Sequence, residues 1–187
     1  MSQKLLTLGL LLAAVAMGLF WLQERSTPEV AGIVSVRPLS IPEIRGKEAA
    51  AFELPDVEGA TVRMADFQDK VLLVNFWATW CQPCLIEIPW FLEFQEQYGP
   101  QGFEVIGISL DDEGAEVVKP FMEKHGMTYT VLLGDEETTE LFGGVLGLPT
   151  TFMVDRDGKY YSMHRGLVSR DIIEDDLLTL LNGAPAE

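Results

Sequence analysis

The chain has 187 residues, a length that predicts one domain with a short appendage. Its 13 Lys and Arg against 29 Asp and Glu give a net charge of −16, which opposes binding to the phosphates of nucleic acids and electrostatic docking on anionic lipid. Its two cysteines are too few for a network of disulfides. We therefore expect an acidic globular domain, a monomer without a nucleic-acid partner.

The first segment in chain order, Leu5 to Leu22, is apolar and has no charged residue over 18 positions. This length is at the lower limit for crossing a bilayer, and it exceeds the roughly 7–15 apolar residues of a cleaved signal peptide. Trp21 suits an anchor at the membrane interface, whereas the Ala14-x-Ala16 pattern leaves cleavage and secretion as the alternative. A buried core helix is disfavoured because no amphipathic period is visible. Residues 1–22 are thus predicted to be an uncleaved, single-pass signal-anchor helix.

Residues 23–46 contain Pro28, Pro38 and Pro42 and lack a sustained helical period, which predicts an extended linker. From residue 47 to 187 the pattern becomes that of a folded domain. Because Lys4 precedes the apolar segment, this acidic domain is expected on the far side of the membrane.

Strands and helices alternate along the domain. Apolar runs and turn residues predict strands at 52–56, 58–62, 71–77, 103–110, 130–133, 150–154 and 160–164. Helices are predicted at 82–98, 115–125, 136–142 and 170–181, the last one capped by Ser169. This order predicts an α/β fold with a mixed sheet flanked by helices. The acidic run Asp111-Asp112-Glu113 is expected to be a solvated face.

Both cysteines lie in the motif Trp80-Cys81-Gln82-Pro83-Cys84, between a buried strand and a helix. A gap of two residues lets one helical turn bring both sulfurs within bonding distance. Cys81 falls at the helix N-terminus, where free amides and the helix dipole favour a thiolate. Cys84 falls one turn inside the helix, which suits a shielded resolving thiol. The order strand, CxxC, helix predicts a redox-active dithiol.

Two other uses of a CxxC pair fit less well. Zinc needs two further ligands, and His125 and His164 are isolated in the sequence. A purely structural disulfide across two residues closes too small a loop to stabilise the fold much. We therefore expect no metal and no cofactor besides the Cys81–Cys84 disulfide itself.

The residues from Val74 to Cys84 (VNFWATWCQPC) and from Gly147 to Phe152 (GLPTTF) resemble the membrane-anchored thioredoxin-like reductases of the ResA/TlpA type. The resemblance covers residues 47–181, and FELPD at 52–56 matches the N-terminal β-hairpin of that family. It implies a thioredoxin-like mixed sheet flanked by helices, with this hairpin as an extension.

The resemblance also implies a substrate groove beside the cysteines. Pro149 would be a cis-proline facing them, with Leu148 and Thr150 flanking the groove. Trp77 and Trp80 are expected to pack around the active-site helix. Because Trp80 is next to Cys81, we also expect it to contact the substrate.

An acidic residue is expected to manage the proton of the resolving thiol. Thioredoxins carry a buried aspartate six residues before the first cysteine, where this chain has Asn75. Glu87 follows Cys84 by three residues, on the same helix face, and ResA-type proteins resemble the chain there. Desolvation by Leu85, Ile86, Ile88 and Trp90 is expected to raise the pKa of Glu87 and fit it for proton transfer. The alternative is an ordinary surface glutamate.

The predicted function is that of a thiol–disulfide oxidoreductase that reduces disulfides of extracytoplasmic proteins. Cys81 attacks, Cys84 resolves and Glu87 takes the proton. The resemblance implies apocytochrome c as one substrate, an integral-membrane thiol protein as electron donor, and a bacterial inner-membrane location with the domain facing the periplasm or the outside.

Three alternatives remain open at this point. A disulfide-forming oxidase uses the same chemistry in reverse, although such oxidases tend to have a histidine between the cysteines, where Gln82 and Pro83 stand. A thiol peroxidase needs a threonine and an arginine beside its cysteine, and Thr79 has no nearby arginine in the sequence. A copper-delivery module would combine both thiolates with a histidine.

Overall fold

The computed structural model describes residues 44–183. The predicted anchor at 1–22, the predicted linker up to residue 43 and residues 184–187 lie outside this range. Among residues 44–183, no helix is both long enough and apolar enough to cross a membrane.

Residues 44–183 form seven strands and four α-helices. The strands are β1 (Glu53–Pro55), β2 (Thr61–Arg63), β3 (Val71–Trp77), β4 (Phe103–Ser109), β5 (Thr130–Leu133), β6 (Thr150–Val154) and β7 (Tyr160–Arg165). The helices are α1 (Gln82–Tyr98), α2 (Ala115–His125), α3 (Glu136–Leu141) and α4 (Arg170–Leu181). Two 3₁₀ turns, Met64–Phe67 and Gly99–Gln101, precede β3 and β4.

Five strands form one mixed sheet in the order β5-β4-β3-β6-β7. Strands β3, β4 and β5 run parallel, β6 is antiparallel to β3, and β7 is antiparallel to β6. Strands β1 and β2 pair as a separate antiparallel hairpin. The predicted mixed sheet, the flanking helices and the N-terminal hairpin are thus confirmed.

The central strand β3 is buried along its whole length, as its uninterrupted apolar run predicts. Successive side chains alternate between the two faces of the sheet. On one face, Leu73 and Trp77 pack with residues from α1, α2 and α4. On the other, Phe76 packs against Phe142 with ring centroids 4.9 Å apart, in an aromatic cluster.

The helix bounds follow the sequence prediction closely. Helix α1 spans the predicted 82–98 and continues through Pro89, and α2 ends at His125 before Gly126, which adopts the left-handed conformation. Ser169 occupies the N-cap position of α4 as predicted, but its side chain makes no capping hydrogen bond.

The sheet register places two segments of the chain at one edge. Phe76, near the end of β3, pairs with Thr150, the first residue of β6. The cysteine motif that follows β3 and the proline loop that precedes β6 therefore lie at the same edge of the sheet.

Gly107 allows a close approach in the packing of β4. A methyl group at this position would lie 2.9 Å from Nε1 of Trp77 and 3.2 Å from a ring carbon of Tyr129. We expect Gly107→Ala to lower the free energy of unfolding by about 1–3 kcal/mol, because both rings are held by the core. Denaturant unfolding of the oxidised protein measures this change.

The matched control is Gly147→Ala, where a methyl group would meet no atom within 4 Å. Its unfolding free energy should stay close to that of the wild type. Equal stability of both variants would contradict the packing described for Gly107.

Candidate active site

The two cysteines form a disulfide at the start of helix α1. Both are buried, with Cys81 4% and Cys84 2% exposed. Cys81 is the N-cap residue, and its Sγ accepts a hydrogen bond from the backbone N–H of Cys84 at 3.3 Å. After reduction, the same N–H and the helix N-terminus would favour a thiolate at Cys81.

Glu87 is buried one turn beyond Cys84, on the side of α1 that faces the sheet. Its residue is 1% exposed, so the interpretation as a surface glutamate is wrong. Its Oε2 accepts a hydrogen bond from Nδ2 of Asn75 at 3.4 Å, and its Oε1 has no hydrogen-bond partner among residues 44–183. Burial raises the pKa of Glu87 to about 8, against the weaker opposing effect of the Asn75 hydrogen bond.

The surroundings of Glu87 match the expectation from its sequence neighbours only in part. Ile86 is 48% exposed and points away from the core, whereas Ile88 is buried. The helix face that carries the carboxyl group also packs on β3, where Asn75 contacts it. The rise in the pKa was expected, but the contribution assigned to Ile86 was wrong.

The proline loop has the conformation that the resemblance implied, since the Leu148–Pro149 peptide bond is cis. The carbonyl oxygen of Pro149 accepts a hydrogen bond from the N–H of Gly166 at 2.8 Å, which joins this loop to the end of β7. Leu148 is half-buried. Thr150 is buried, and its hydroxyl donates to the carbonyl oxygen of Gly147, so its side chain does not line an open groove.

Three large apolar side chains are exposed in the loops at this edge. Trp80 is 66% exposed, so the expectation that it packs around the helix is wrong for Trp80, although Trp77 is buried against Phe121. Leu146 is 84% exposed, and Leu167, next to Gly166, is also exposed. Trp80 is therefore free to contact a partner.

Asp111 was missed in the sequence because it begins an acidic run. It is buried, and it accepts hydrogen bonds from the backbone N–H and the hydroxyl of Thr79 and from the hydroxyl of Ser109. The expectation of a solvated face is wrong at this position. Asp111 instead holds the segment that leads from β3 to Cys81.

Within residues 44–183, neither His125 nor His164 lies in a group of metal ligands. Among residues 44–183 there is no cluster of three or more His, Cys, Asp or Glu side chains that could hold a metal ion. His164 contacts Asp176 at 2.8 Å through Nε2, and the ring of His125 stacks on Phe121.

A CxxC disulfide at the N-terminus of a helix, with a cis-proline loop at the same edge of a mixed sheet, defines the thiol–disulfide oxidoreductases with a thioredoxin-like fold. The model of the AhpC/TSA family matches residues 45–161. The chain therefore belongs to the AhpC/TSA family.

Similar proteins from other organisms are named as members of this class. The thiol-disulfide oxidoreductase ResA of Bacillus thuringiensis subsp. konkukian is 33% identical over 132 residues, which cover 71% of this chain and 76% of that protein. The protein of the same name from Bacillus subtilis is 30% identical over 130 residues, which cover 70% and 72% of the two chains.

Solved structures show the same fold. A thiol:disulfide interchange protein of the thioredoxin family from Chlorobium tepidum superposes with a TM-score of 0.65 at 31% identity, covering 72% of this chain and 95% of that one. The thioredoxin domain of a thiol-disulfide oxidoreductase from Bacteroides vulgatus gives a TM-score of 0.65 at 26% identity, with 73% and 97% covered. The chain is a thiol–disulfide oxidoreductase of this thioredoxin-like type.

The buried carboxyl group of Glu87 makes stability depend on pH. Its pKa of about 8 in the folded protein lies above the ordinary value of 4.5, so its contribution to stability is full below pH 4.5 and is lost as pH rises through about 8. We expect the unfolding free energy of the oxidised wild type, relative to Glu87→Gln, to fall by about 2–4 kcal/mol across this interval.

Denaturant unfolding at a series of pH values measures this difference. Glu96→Gln is the matched control, because Glu96 lies on the same helix and is exposed. It should follow the wild type at every pH. Parallel pH profiles of the wild type and Glu87→Gln would contradict the burial of an ionisable carboxyl group.

Proposed function

We propose that this chain reduces disulfides of proteins outside the cytoplasm while tethered to a bacterial inner membrane by residues 1–22. The observation that carries the proposal is the pairing of a CxxC disulfide at the start of α1 with a buried carboxyl group one turn beyond it. The names of the ResA relatives support the chemistry, and the uncharged segment from Leu5 to Leu22 supports the location.

The reaction begins with the dithiol form of the chain. The Cys81 thiolate attacks one sulfur of the substrate disulfide, which forms a mixed disulfide and releases the other substrate sulfur as a thiolate that takes a proton from water. Cys84 then loses its proton to the carboxylate of Glu87 and attacks the sulfur of Cys81. The second substrate sulfur leaves and takes up a proton, so the substrate gains two electrons and the Cys81–Cys84 disulfide forms.

The electrostatics around the cysteines favour reduction of substrates over oxidation. A strongly oxidising CxxC couple is one whose reduced form is stabilised, usually by groups that favour the thiolate. Here a Cys81 thiolate would be stabilised by the Cys84 N–H and the helix N-terminus, and no charge is added by the residues between the cysteines, Gln82 and Pro83. The disulfide form is therefore favoured, as a reductase requires.

The exposed apolar side chains suggest how a substrate docks. Trp80, Leu146 and Leu167 lie on three loops at the edge of the sheet that carries the cysteine motif, and their exposed side chains present apolar surface to a polypeptide. The half-buried Leu148 would contact the substrate beside them, and the buried Pro149 would hold this loop in place. An unfolded or extended segment with a disulfide, as in apocytochrome c, fits this surface, and an integral-membrane thiol protein would return electrons to the chain.

Peroxidase chemistry has less support at this site. A thiol peroxidase would use the hydroxyl of Thr79 with a cation to bind peroxide. In the structure this hydroxyl donates to the carboxylate of Asp111 at 2.6 Å. A negative charge thus stands where peroxide binding requires a positive one.

Trapping of the mixed disulfide tests the proposed order of attack. Cys84→Ser should accumulate a covalent adduct between Cys81 and a substrate protein that has a disulfide, because the resolving thiol is absent. Cys81→Ser should form none. Glu87→Gln should slow resolution by about 10²-fold or more while leaving the formation of the adduct unchanged.

Mass spectrometry of the quenched reaction identifies the adduct and its site. Glu96→Gln again serves as the control for the charge removed from α1. An adduct on Cys84 in the Cys81→Ser protein, with none on Cys81 in Cys84→Ser, would reverse the assigned roles.

A further inference from the structure

A chain of buried hydrogen bonds continues from Glu87 into the sheet. Nδ2 of Asn75, on β3, donates to Oε2 of Glu87 at 3.4 Å and to Oγ1 of Thr151, on β6, at 2.9 Å. All three side chains are at most 4% exposed. The register pairs Asn75 directly with Thr151, so both side chains lie on the face that α1 covers.

We propose that Thr151 is a positioning residue for the proton-transfer step. Its hydroxyl oxygen accepts one N–H of the Asn75 amide, and this holds the amide with the other N–H directed at Glu87. The effect of Thr151 on the reaction is thus exerted through Asn75 and rests on the proposed function of Glu87 as the proton acceptor.

The Asn75 amide needs two acceptors because its site is closed to water. The amide nitrogen of Asn75 has two hydrogens, and each needs an acceptor when water is excluded. Thr151 is the acceptor of the shorter hydrogen bond, and the carboxyl group of Glu87 is the acceptor of the longer one. An amide turned by half a rotation would present its oxygen to the carboxylate, and two oxygen acceptors facing each other would disfavour the charged form.

The orientation matters because Asn75 provides the hydrogen bond that lowers the pKa of Glu87 against burial. In the part of the chain that the structure describes, two other titratable groups lie near Glu87. The phenol of Tyr129 is buried and interacts electrostatically with it, and the Cys84 thiol lies on the same helix face after reduction. In the oxidised protein Cys84 does not titrate, so the effect of Thr151 can be measured there without the thiol.

The test compares two substitutions of Thr151 in the oxidised protein. Thr151→Val keeps the shape and removes the acceptor, whereas Thr151→Ser keeps the hydroxyl. The pH titration of the Glu87 carboxyl carbon is followed by NMR, and Glu87→Gln assigns the signal. We expect Thr151→Val to raise the midpoint by about half a pH unit or more, and Thr151→Ser to leave it unchanged.

Thr138→Val is the matched control. Thr138 is buried, and its hydroxyl bonds to Asp135 at the start of α3. This substitution also removes a buried hydroxyl but has no link to Glu87, so stability should fall with no change in the midpoint. If Thr151→Val does not fold, Thr151→Ala replaces it with the same expected rise.

The second readout is the pH profile of mixed-disulfide resolution, whose midpoint should rise with that of Glu87 in Thr151→Val. An unchanged Glu87 midpoint in Thr151→Val overturns the inference while leaving the reductase function intact. Equal resolution rates in the wild type and Glu87→Gln overturn instead the proposed role of Glu87, on which the inference depends.

Discussion

Folding places the carboxyl group of Glu87 between helix α1 and strand β3, where a charge is costly. The residue is 1% exposed, and within residues 44–183 only one of its oxygens receives a hydrogen bond, from Asn75. Because the group lies one helical turn from Cys84, its protonation and the ionisation of the resolving thiol are coupled by position. A carboxyl group whose pKa is about 8 can accept and return a proton near neutral pH.

The sheet is what makes this site possible. The register sets Gly107, Asn75 and Thr151 in a row across three neighbouring strands. Gly107 leaves room for the ring of Trp77, and Thr151 binds the amide that meets Glu87. Because β6 runs antiparallel to β3, the Leu148–Pro149 loop that precedes β6 lies at the same edge of the sheet as the cysteine motif that follows β3. Structure and chemistry thus depend on the same few residues of the central strands.

Local patterns in the sequence predicted the elements well, because each has a marked boundary. The Gly126 that ends α2 and the all-apolar run of β3 are examples of signals that act within a few residues. The CxxC spacing likewise identified Cys81 and Cys84. Glu87 was found partly through the resemblance, since its spacing from Cys84 alone does not distinguish a buried face from a solvated one.

Contacts between distant segments were harder to foresee. Asp111 opens an acidic run, and only the fold shows that it turns inward to bind Thr79. Thr151 carries no sequence signal, because its partner lies on a strand that is 76 positions away in the chain. The exposure of Trp80 likewise depends on the loops around it, which local hydrophobicity cannot predict.

The reduction potential of the Cys81–Cys84 couple tests the central claim most directly. Equilibration of the protein with a thiol buffer of known potential gives this value. We predict a potential at or below about −270 mV, in the range of thioredoxin, because no charged or histidine side chain between the cysteines adds to the stabilisation of the reduced form by the helix N-terminus. A potential of about −120 mV would make the chain a disulfide donor and contradict its function as a reductase, as would the absence of a reversible disulfide.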